Sequence, residues 1–494
     1  DQIKGVLNCF DRIVVFGSFR EIQYGGAMEW HLKQQEVMLM DYEKKYANKL
    51  RLDMVDHVKA VAAYHLKDIE FINQDIRKED FVARKLEKRG RRPGIVCILS
   101  AMESCRCYKV RKNKKSGYLY LQNCPGKCLH YYIYFIDPEL GLGYLRIPTW
   151  APFRLQLYFN GHDWLERRLK EEGIGYQKTD NAFTHLSDFD RANKLAAELD
   201  PVRLQHKFNE IAGRWVGVFD RFHGNIGWSI YQAELATDIV FKNDKVLPKL
   251  YEEIIRTAIY EFKCPDVYQF LGKRLINRGK EFAEGRMQTL IEGTRIKHSI
   301  KSTSIKMYDK QDRVLRIETT TSDVSSFYCY RSVVSRDGTC DSRRAPVRKA
   351  LSSLPKVFEL LLACNQRYLS AISQMEDRTR EKHNLSQVVE SKKDSKGRSC
   401  RGVNFFREED LLFLSAVLQG ENHIMGMRNQ SLQRHLRGWA TQKIGRTLRR
   451  FRELKLLKKV AGTTKYYTTK LGKDVLAVAL QLRERIVIPS LKTT

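Results

Sequence analysis

The sequence predicts an α+β protein with a mixed N-terminal domain, a central sheet-based core and a helical C-terminal domain. Strands rich in β-branched and aromatic residues alternate with helical periodicity along most of the chain. The polar stretch ESKKDSKGRSCRG then separates a last region, in which three helical patterns precede a hairpin. We therefore predict domains at residues 1–200, 201–390 and 403–494, with a linker at 391–402.

The composition predicts a folded protein with a polyanionic partner. The chain has 494 residues, 43% of them hydrophobic, and a formal net charge of +30. Because so large a charge repels itself in a compact chain, we expect a partner such as nucleic acid, whose phosphates release counterions when neutralised. The sequence contains no run of about 18 apolar residues, the length that a membrane-spanning helix needs. The 11 cysteines fit a reducing cytoplasm better than a disulfide scaffold.

The N-terminal domain combines basic clusters with aromatic strands. A buried-type strand at 12–16 precedes helical periodicity over 28–65, and strands such as LHYYIYFID follow. Lys and Arg hold phosphates while Tyr and Phe stack on unpaired bases, so this alternation predicts a nucleic-acid surface. The alternative is that the aromatic side chains form the core. The basic residues expected to bind nucleic acid are Arg84, Arg89, Arg91, Arg92 and Lys112.

Four cysteines in this domain have a spacing that fits a structural zinc site. Cys105 and Cys107 precede a basic hairpin, and Cys124 and Cys128 follow it. Four thiolates can close a tetrahedral Zn²⁺ site. The spacing departs from the usual pair of C-x-x-C knuckles, and free buried thiols are the alternative.

The central domain contains a hairpin with charged side chains on its strands. WSIYQAELATDIVF predicts a strand, LYEEIIRTAIYEF a helix, and residues 303–321 a β-hairpin. Arg316 and Glu318 are two residues apart and therefore lie on one face. Either Glu318 pairs with Arg316 or with Lys306 on the neighbouring strand, or this face receives phosphate and metal.

The order of these motifs resembles the core of the plasmid and phage rolling-circle replication initiators. In that family an early strand ends in an aspartate, a hairpin strand carries a Tyr-Asp-Lys sequence, and a Leu-Arg-x-Glu strand follows. The resemblance covers residues 228–330. The matching positions are Leu235, Ala236 and Asp238, then Thr294, Ser304, Tyr308, Asp309 and Lys310, then Leu315, Arg316 and Glu318.

The resemblance implies metal-dependent cleavage of DNA through a tyrosine. Acidic groups hold Mg²⁺ or Mn²⁺, which neutralises charge on the phosphate, and a phenol attacks the phosphodiester. The implied metal ligands are Asp238 and Glu318, with Glu234 and Asp309 in reserve. Lys310 and Arg316 would bind phosphate or stabilise the transition state. The nucleophile candidates are Tyr328 and Tyr330, then Tyr231 and Tyr308, and the spacing selects none of them.

The C-terminal domain combines three helical patterns with a short hairpin. REEDLLFLSAVLQGE, MRNQSLQRHLRG and TQKIGRTLRRFRELKLLKK predict helices, VAGTTKYYTTKLG predicts two strands, and GKDVLAVALQLRERI predicts a closing helix. This arrangement resembles a winged helix-turn-helix, whose third helix enters the major groove of DNA. The alternative is the same fold used for protein contact. The residues expected to contact DNA are Lys443, Arg446, Arg449, Arg450 and Lys465.

These features predict a cytoplasmic nucleic-acid-binding protein of a mobile element or replicon. Its reaction would be metal-dependent strand nicking and joining, as by a replication initiator or transposase. The alternative is a non-catalytic protein that assembles with structured RNA or regulates transcription on DNA. Basic clusters in all three domains suit either partner. A homodimer is compatible with both functions.

Overall fold

Two compact units make up the chain in the computed structural model. The N-unit comprises Leu7–Ala236 and Thr320–Leu362, and the C-unit comprises Asp1–Val6, Thr237–Thr319 and Ala363–Thr494. The predicted boundaries near residues 200 and 390 stay predictions. The structure describes residues 2–73, 77–248, 250–251, 254–255, 262, 264–273, 284–290, 293–335, 337–373, 388, 391–393, 397, 399–404, 407–417, 419, 422 and 425–473.

Helices and strands are both abundant, which confirms the predicted α+β class. The strands are β1 (Ile3–Phe19), β2 (Ile69–Phe71), β3 (Gly94–Lys112), β4 (Leu119–Asp137), β5 (Gly141–Pro148), β6 (Leu155–Phe159), β7 (Tyr176–Thr179), β8 (Ala182–Leu186), β9 (Ile226–Phe241), β10 (Glu284–Leu290), β11 (Gly293–Ile300), β12 (Thr303–Lys310), β13 (Val314–Thr321), β14 (Tyr328–Val334), β15 (Cys340–Pro346), β16 (Lys392–Lys393), β17 (Ser399–Cys400), β18 (Leu457–Lys459) and β19 (Tyr466–Thr468). The described α-helices are α1 (Gly25–Gln34), α2 (Ala47–Tyr64), α3 (Lys78–Arg89), α4 (Gly161–Glu171), α5 (Phe189–Ala197), α6 (Pro201–Trp215), α7 (Cys264–Phe270), α8 (Leu354–Ser373), α9 (Glu408–Val417), α10 (Asn429–Gln433) and α11 (Thr441–Glu453).

A mainly antiparallel sheet forms the N-unit, with strand order β1-β6-β5-β4-β3-β2. The long hairpin of β3 and β4 runs from the pair Gly94 and Ile136 to the pair Lys112 and Leu119. Its inner half is buried on both faces, and α3 packs on one of them through Val82. The aromatic side chains of β4 at positions 131–135 are therefore core residues, which was one of the two interpretations of the sequence.

The helical pattern over 28–65 is interrupted in the structure. Helix α1 ends at Gln34, and Glu36 has a φ of 55°, in the left-handed region that a continuous helix does not visit. Short 3₁₀ and π turns fill residues 39–46 before α2 begins at Ala47. The helical periodicity predicted over 28–65 continues through this break, so the apolar spacing does not mark where α1 ends.

The sheet of the C-unit has the strand order β10-β11-β12-β13-β9. Its core includes Ile305 and Met307 from β12, Ile317 from β13 and Tyr368 from α8. Most of the helix predicted over 250–262 lies outside the described residues, as does the closing helix after residue 473. Inside the predicted linker, β16 and β17 pair as a short antiparallel hairpin.

The C-terminal part of the C-unit has its own apolar core, which includes Phe413 of α9, Leu432 of α10 and Leu448 of α11. Helix α11 ends at Glu453, whereas the sequence predicted a helix that continues to residue 459. The chain leaves the helix because Lys455 adopts a left-handed φ of 61°. Residues 457–459 then form β18 and pair with β19. In the described part of the chain, no helix is both long and apolar enough to span a membrane.

Candidate functional site

Arg316 and Asp238 form a buried, forked ion pair between neighbouring strands β13 and β9. Arg316 Nε donates to Asp238 Oδ1 at 2.6 Å, and Nη2 donates to Oδ2 at 2.7 Å. Both residues are 0% exposed. The guanidinium matches the carboxylate in shape, and each charge compensates the other in a medium where neither would be stable alone. Both oxygens of Asp238 are therefore engaged by Arg316.

A buried polar contact beside this pair ties the same two strands to a helix. Thr319 Oγ1 of β13 donates to Asn365 Oδ1 of α8 at 2.6 Å. Asn365 Nδ2 donates in turn to Thr237 Oγ1 of β9 at 3.0 Å. Because buried polar groups need partners, this bridge fixes the spacing of β9 and β13 around the ion pair.

Glu318 lies on the same strand and has a separate set of partners. Lys306 Nζ donates to Glu318 Oε1 at 2.5 Å, and the Tyr308 hydroxyl donates to Oε2 at 2.9 Å. Glu318 is 2% exposed, whereas Lys306 and Tyr308 are half-buried. Of the two pairings that the sequence left open for Glu318, the structure shows the one with Lys306.

A divalent cation would compete with these ion pairs. Asp238 is enclosed and paired with Arg316, and Glu318 is paired with Lys306, so each carboxylate would have to exchange its basic partner to coordinate a metal ion. Glu234 belongs to the N-unit, where it accepts a hydrogen bond from Thr320 Oγ1 at 2.6 Å. Among the described residues, no cluster of three or more His, Cys, Asp or Glu side chains is arranged to hold a metal ion. The Mg²⁺ or Mn²⁺ site stays a prediction.

Asp309 is a partly buried carboxyl at the end of β12, and Lys310 beside it is half-buried. The Oδ1 atom of Asp309 is buried and accepts no hydrogen bond from the residues that the structure describes. Burial, with the charge of Asp312 as a second cause, raises the pKa of Asp309 to about 6. The turn that follows places Gln311 and Asp312 at left-handed φ values of 59° and 58°. That geometry brings the two carboxyl groups together.

The raised pKa predicts a pH-dependent stability. The folded protein holds the Asp309 proton more tightly than the unfolded chain does. This carboxyl group therefore contributes most to the free energy of unfolding below about pH 4, and that contribution is lost as the pH rises towards 6. We expect Asp309→Asn to raise the free energy of unfolding at pH 7 by about 1 kcal/mol and to flatten its decline between about pH 4 and 6. Urea titrations at several pH values measure this. The exposed Asp68→Asn is the control, and a decline that persists in Asp309→Asn contradicts the assignment.

The tyrosines expected as nucleophiles have different surroundings. Tyr328 and Tyr330 lie on β14 and are 53% and 77% exposed. The Arg344 guanidinium lies 5.7 Å from the centre of the Tyr328 ring. No carboxylate contacts either hydroxyl among the described residues, whereas the Tyr308 hydroxyl donates to Glu318. The choice of nucleophile stays a prediction.

The four cysteines of the predicted zinc site lie on one face of the β3–β4 hairpin. Cys107 is directly opposite Cys124, and its thiol donates to the Cys124 carbonyl at 3.7 Å. A hydrogen bond from the Cys105 thiol, together with His130, lowers the pKa of the Cys128 thiol. Within the described structure these cysteines do not form a group of three or more side chains arranged to hold a metal ion. Zinc binding stays a prediction.

The basic residues of the N-unit that were predicted to bind nucleic acid differ in whether they already have partners within the protein. Arg91 pairs with Asp163 at 3.2 Å, and Arg89 donates to the carbonyl oxygens of Arg92 and Pro93. The remaining three are exposed: Arg84, Arg92 and Lys112.

Helix α11 presents a basic face on which some side chains have acidic partners and others do not. Lys443 Nζ pairs with Glu409 Oε1 at 2.6 Å, and Arg450 donates to the buried carboxylate of Asp410. Two arginines one turn apart, Arg446 and Arg449, are exposed and have no hydrogen-bond or ion-pair partner among the described residues. The opposite face buries Ile444, Leu448 and Phe451 in the core. Lys465 lies at the start of the β19 side of the hairpin, half-buried.

Comparison with known proteins adds little to this description. The chain matches no protein-family model and no curated protein. Among solved structures, it is similar to a rolling circle replication initiator protein from Geobacillus stearothermophilus, at 11% sequence identity and a TM-score of 0.19. The similarity covers 64% of this chain and 75% of that one. So low a TM-score supports no conclusion about fold or function.

Proposed function

We propose that this chain is a nucleic-acid-binding protein of a replicon or mobile element, in which residues 403–494 form a winged helix that docks on duplex DNA. Arg446 and Arg449 on α11, which are exposed and have no partner within the described part of the chain, support this most. A helix with one face in a core and the other face basic is suited to the major groove. The turn between β18 and β19, with Lys465, is the wing that contacts the adjacent backbone.

The formal net charge of +30 supports the same proposal. A charge of this size is favourable beside phosphates because their neutralisation releases condensed counterions. The pairing of Lys443 and Arg450 with acids of α9 shows which cations have a structural partner already. The helix contacts to DNA are therefore assigned to Arg446 and Arg449.

The test is to identify the nucleic acid that the full-length chain holds in cells. The protein is crosslinked in cells, purified, and the attached nucleic acid is sequenced after separate DNase and RNase treatment. Enrichment of duplex DNA from one replicon supports the proposal. Enrichment of structured RNA alone would overturn it in favour of a ribonucleoprotein.

One contact favours a second, catalytic function. The Tyr308 hydroxyl donates a hydrogen bond to Glu318, which Lys306 orients, and this is the arrangement of a nucleophile beside a general base. We propose Tyr308 as the residue that would attack a phosphodiester if the chain nicks DNA. Its oxygen would form the bond to phosphorus as Glu318 takes the phenol proton, the bond from phosphorus to the 3′ oxygen would break, and the strand would leave with a protonated 3′ hydroxyl. The half-buried position of Tyr308 leaves its ring partly accessible.

Tyr308→Phe is expected to abolish any covalent protein–DNA adduct. The phenylalanine keeps the ring but removes the attacking oxygen. Full-length protein, labelled single-stranded DNA and Mn²⁺ are incubated and separated on a denaturing gel. Tyr330→Phe, at an exposed tyrosine without a carboxylate partner, is the control and should leave the adduct intact. Loss of the adduct in Tyr330→Phe, with retention in Tyr308→Phe, would contradict the assignment.

A further inference from the structure

A cleft lined by three arginines lies in the N-unit. Two adjoining cavities of about 340 Å³ each share Arg106 and Arg154 in their walls, and Arg146 lines one of them. Arg106 is on β3, Arg146 on β5, and Arg154 immediately precedes β6. The sheet therefore holds all three side chains on strands or at a strand end, where their positions are fixed.

The charge of this cleft is incompletely compensated. Arg146 pairs with Glu103 at 3.0 Å. Arg106 and Arg154 are exposed and have no carboxylate partner among the described residues. Burial, with the like charges of Arg106 and Arg146, lowers the pKa of Arg154. Like charges facing one cavity repel each other, so an anion bound between them would be stabilised.

An aromatic stack adjoins the same arginines. The Arg154 guanidinium lies 3.9 Å from the centre of the Phe16 ring. Phe16 in turn contacts Tyr231, with ring centres 4.2 Å apart and planes inclined by 41°. Tyr231 is 41% exposed, so part of its ring is open to solvent. A guanidinium held on an aromatic ring keeps its donors pointed in one direction.

The remaining walls of the cleft mix neutral polar residues with apolar ones, among them Pro125 and Pro148 in one cavity and Pro152 in the other. Ser18, Gln23 and Asn123 line the cavity on one side of Arg154, and no Asp or Glu lines either cavity. Hydroxyl and amide groups of this kind commonly contact phosphate and sugar oxygens. The cleft thus combines anion-binding donors with neutral hydrogen-bonding groups, and the partly open ring of Tyr231 adjoins it through Phe16.

We propose that this cleft binds an unpaired nucleotide within a single-stranded nucleic acid. The phosphodiester lies between Arg106 and Arg154, and the base stacks on the exposed part of Tyr231. The inference rests on the proposed nucleic-acid-binding function but concerns a different surface from α11. A single strand is favoured over duplex because a base can reach an aromatic ring only when it is unpaired.

The test is the affinity of full-length protein for labelled oligo(dT), measured by fluorescence anisotropy. The double variant Arg106→Gln/Arg154→Gln is expected to bind roughly tenfold more weakly, with a salt dependence shallower by about 0.7, because the phosphate between the two arginines is no longer neutralised. Tyr231→Ala is expected to bind roughly tenfold more weakly, whereas Tyr231→Phe keeps the stacking ring and the affinity. Lys194→Gln, an exposed charge on α5 outside the cleft, should change the affinity by less than about twofold.

Duplex binding by the same variants serves as the check of folding and should be unchanged. Equal weakening by Lys194→Gln and by the arginine variant would overturn the proposal, as would full affinity in Tyr231→Ala. In a second experiment dTMP is added as a competitor. If dTMP displaces the oligonucleotide at equal concentrations, the ligand of the cleft is a free nucleotide and the proposal of a single strand is wrong. If wild-type protein binds neither single strand nor duplex, the proposed function fails. If wild-type protein binds nucleic acid but the cleft variants keep the wild-type affinity for oligo(dT), this inference alone fails.

Discussion

Replacement of Asp238 by asparagine is expected to lower the free energy of unfolding by about 3–5 kcal/mol. The change removes the negative charge opposite Arg316, whose guanidinium is 0% exposed. Breaking a buried pair by removing one partner leaves the other charge uncompensated, which costs more than the pair contributes. Urea denaturation of the full-length protein measures the effect.

A second variant separates the lost charge from lost packing. The double variant Arg316→Met/Asp238→Leu is expected to recover most of the stability, because two apolar groups of similar size replace both charges. Glu172→Gln, which breaks an exposed carboxylate pair with Arg191, should have little measurable effect. A stable Asp238→Asn protein, together with a melting temperature that Mn²⁺ raises in wild type only, would contradict the structural role and favour metal binding.

The double variant Arg446→Gln/Arg449→Gln is expected to weaken duplex DNA binding by about 1–3 kcal/mol for each arginine that reads a base. Both side chains are exposed on α11 and have no partner among the described residues, so their removal leaves the core of this region intact. Where either arginine contacts a phosphate instead, the salt dependence should become shallower by about 0.9 per contact. Fluorescence anisotropy with labelled duplex measures both quantities.

Two control variants test whether this effect is specific to Arg446 and Arg449. Lys194→Gln removes one exposed charge from the N-unit and should leave duplex affinity almost unchanged. Arg450→Gln is expected to lower stability, since it removes the partner of the buried Asp410 carboxylate. Unchanged duplex affinity in the Arg446→Gln/Arg449→Gln protein would mean that α11 faces another protein.

Local patterns predicted those features that depend on near neighbours in the chain. The pairing of Lys306 with Glu318 was one of two sequence alternatives, because a hairpin places residues 12 apart opposite each other. The three C-terminal helices and the short hairpin also follow from apolar spacing and turn residues. The class α+β followed from the alternation of the two periodicities.

Features that depend on strand order were not predictable from local sequence. Arg316 and Asp238 are 78 residues apart, and only the placement of β9 beside β13 brings them together. The arginine cleft likewise combines Phe16, Arg106 and Arg146 from three strands distant in the chain. The end of α11 was missed because a lysine, and not a glycine, takes the left-handed conformation at residue 455.

The most direct test of the account is the salt dependence of nucleic-acid binding by the full-length protein. The account predicts that the affinity for duplex DNA falls about 10³-fold or more between roughly 50 and 200 mM KCl, since several phosphates are neutralised at once. Equilibrium anisotropy titrations at four or more salt concentrations give the slope of log affinity against log salt. A flat slope, or no binding at the lowest salt concentration, would contradict the claim that the excess positive charge binds phosphate.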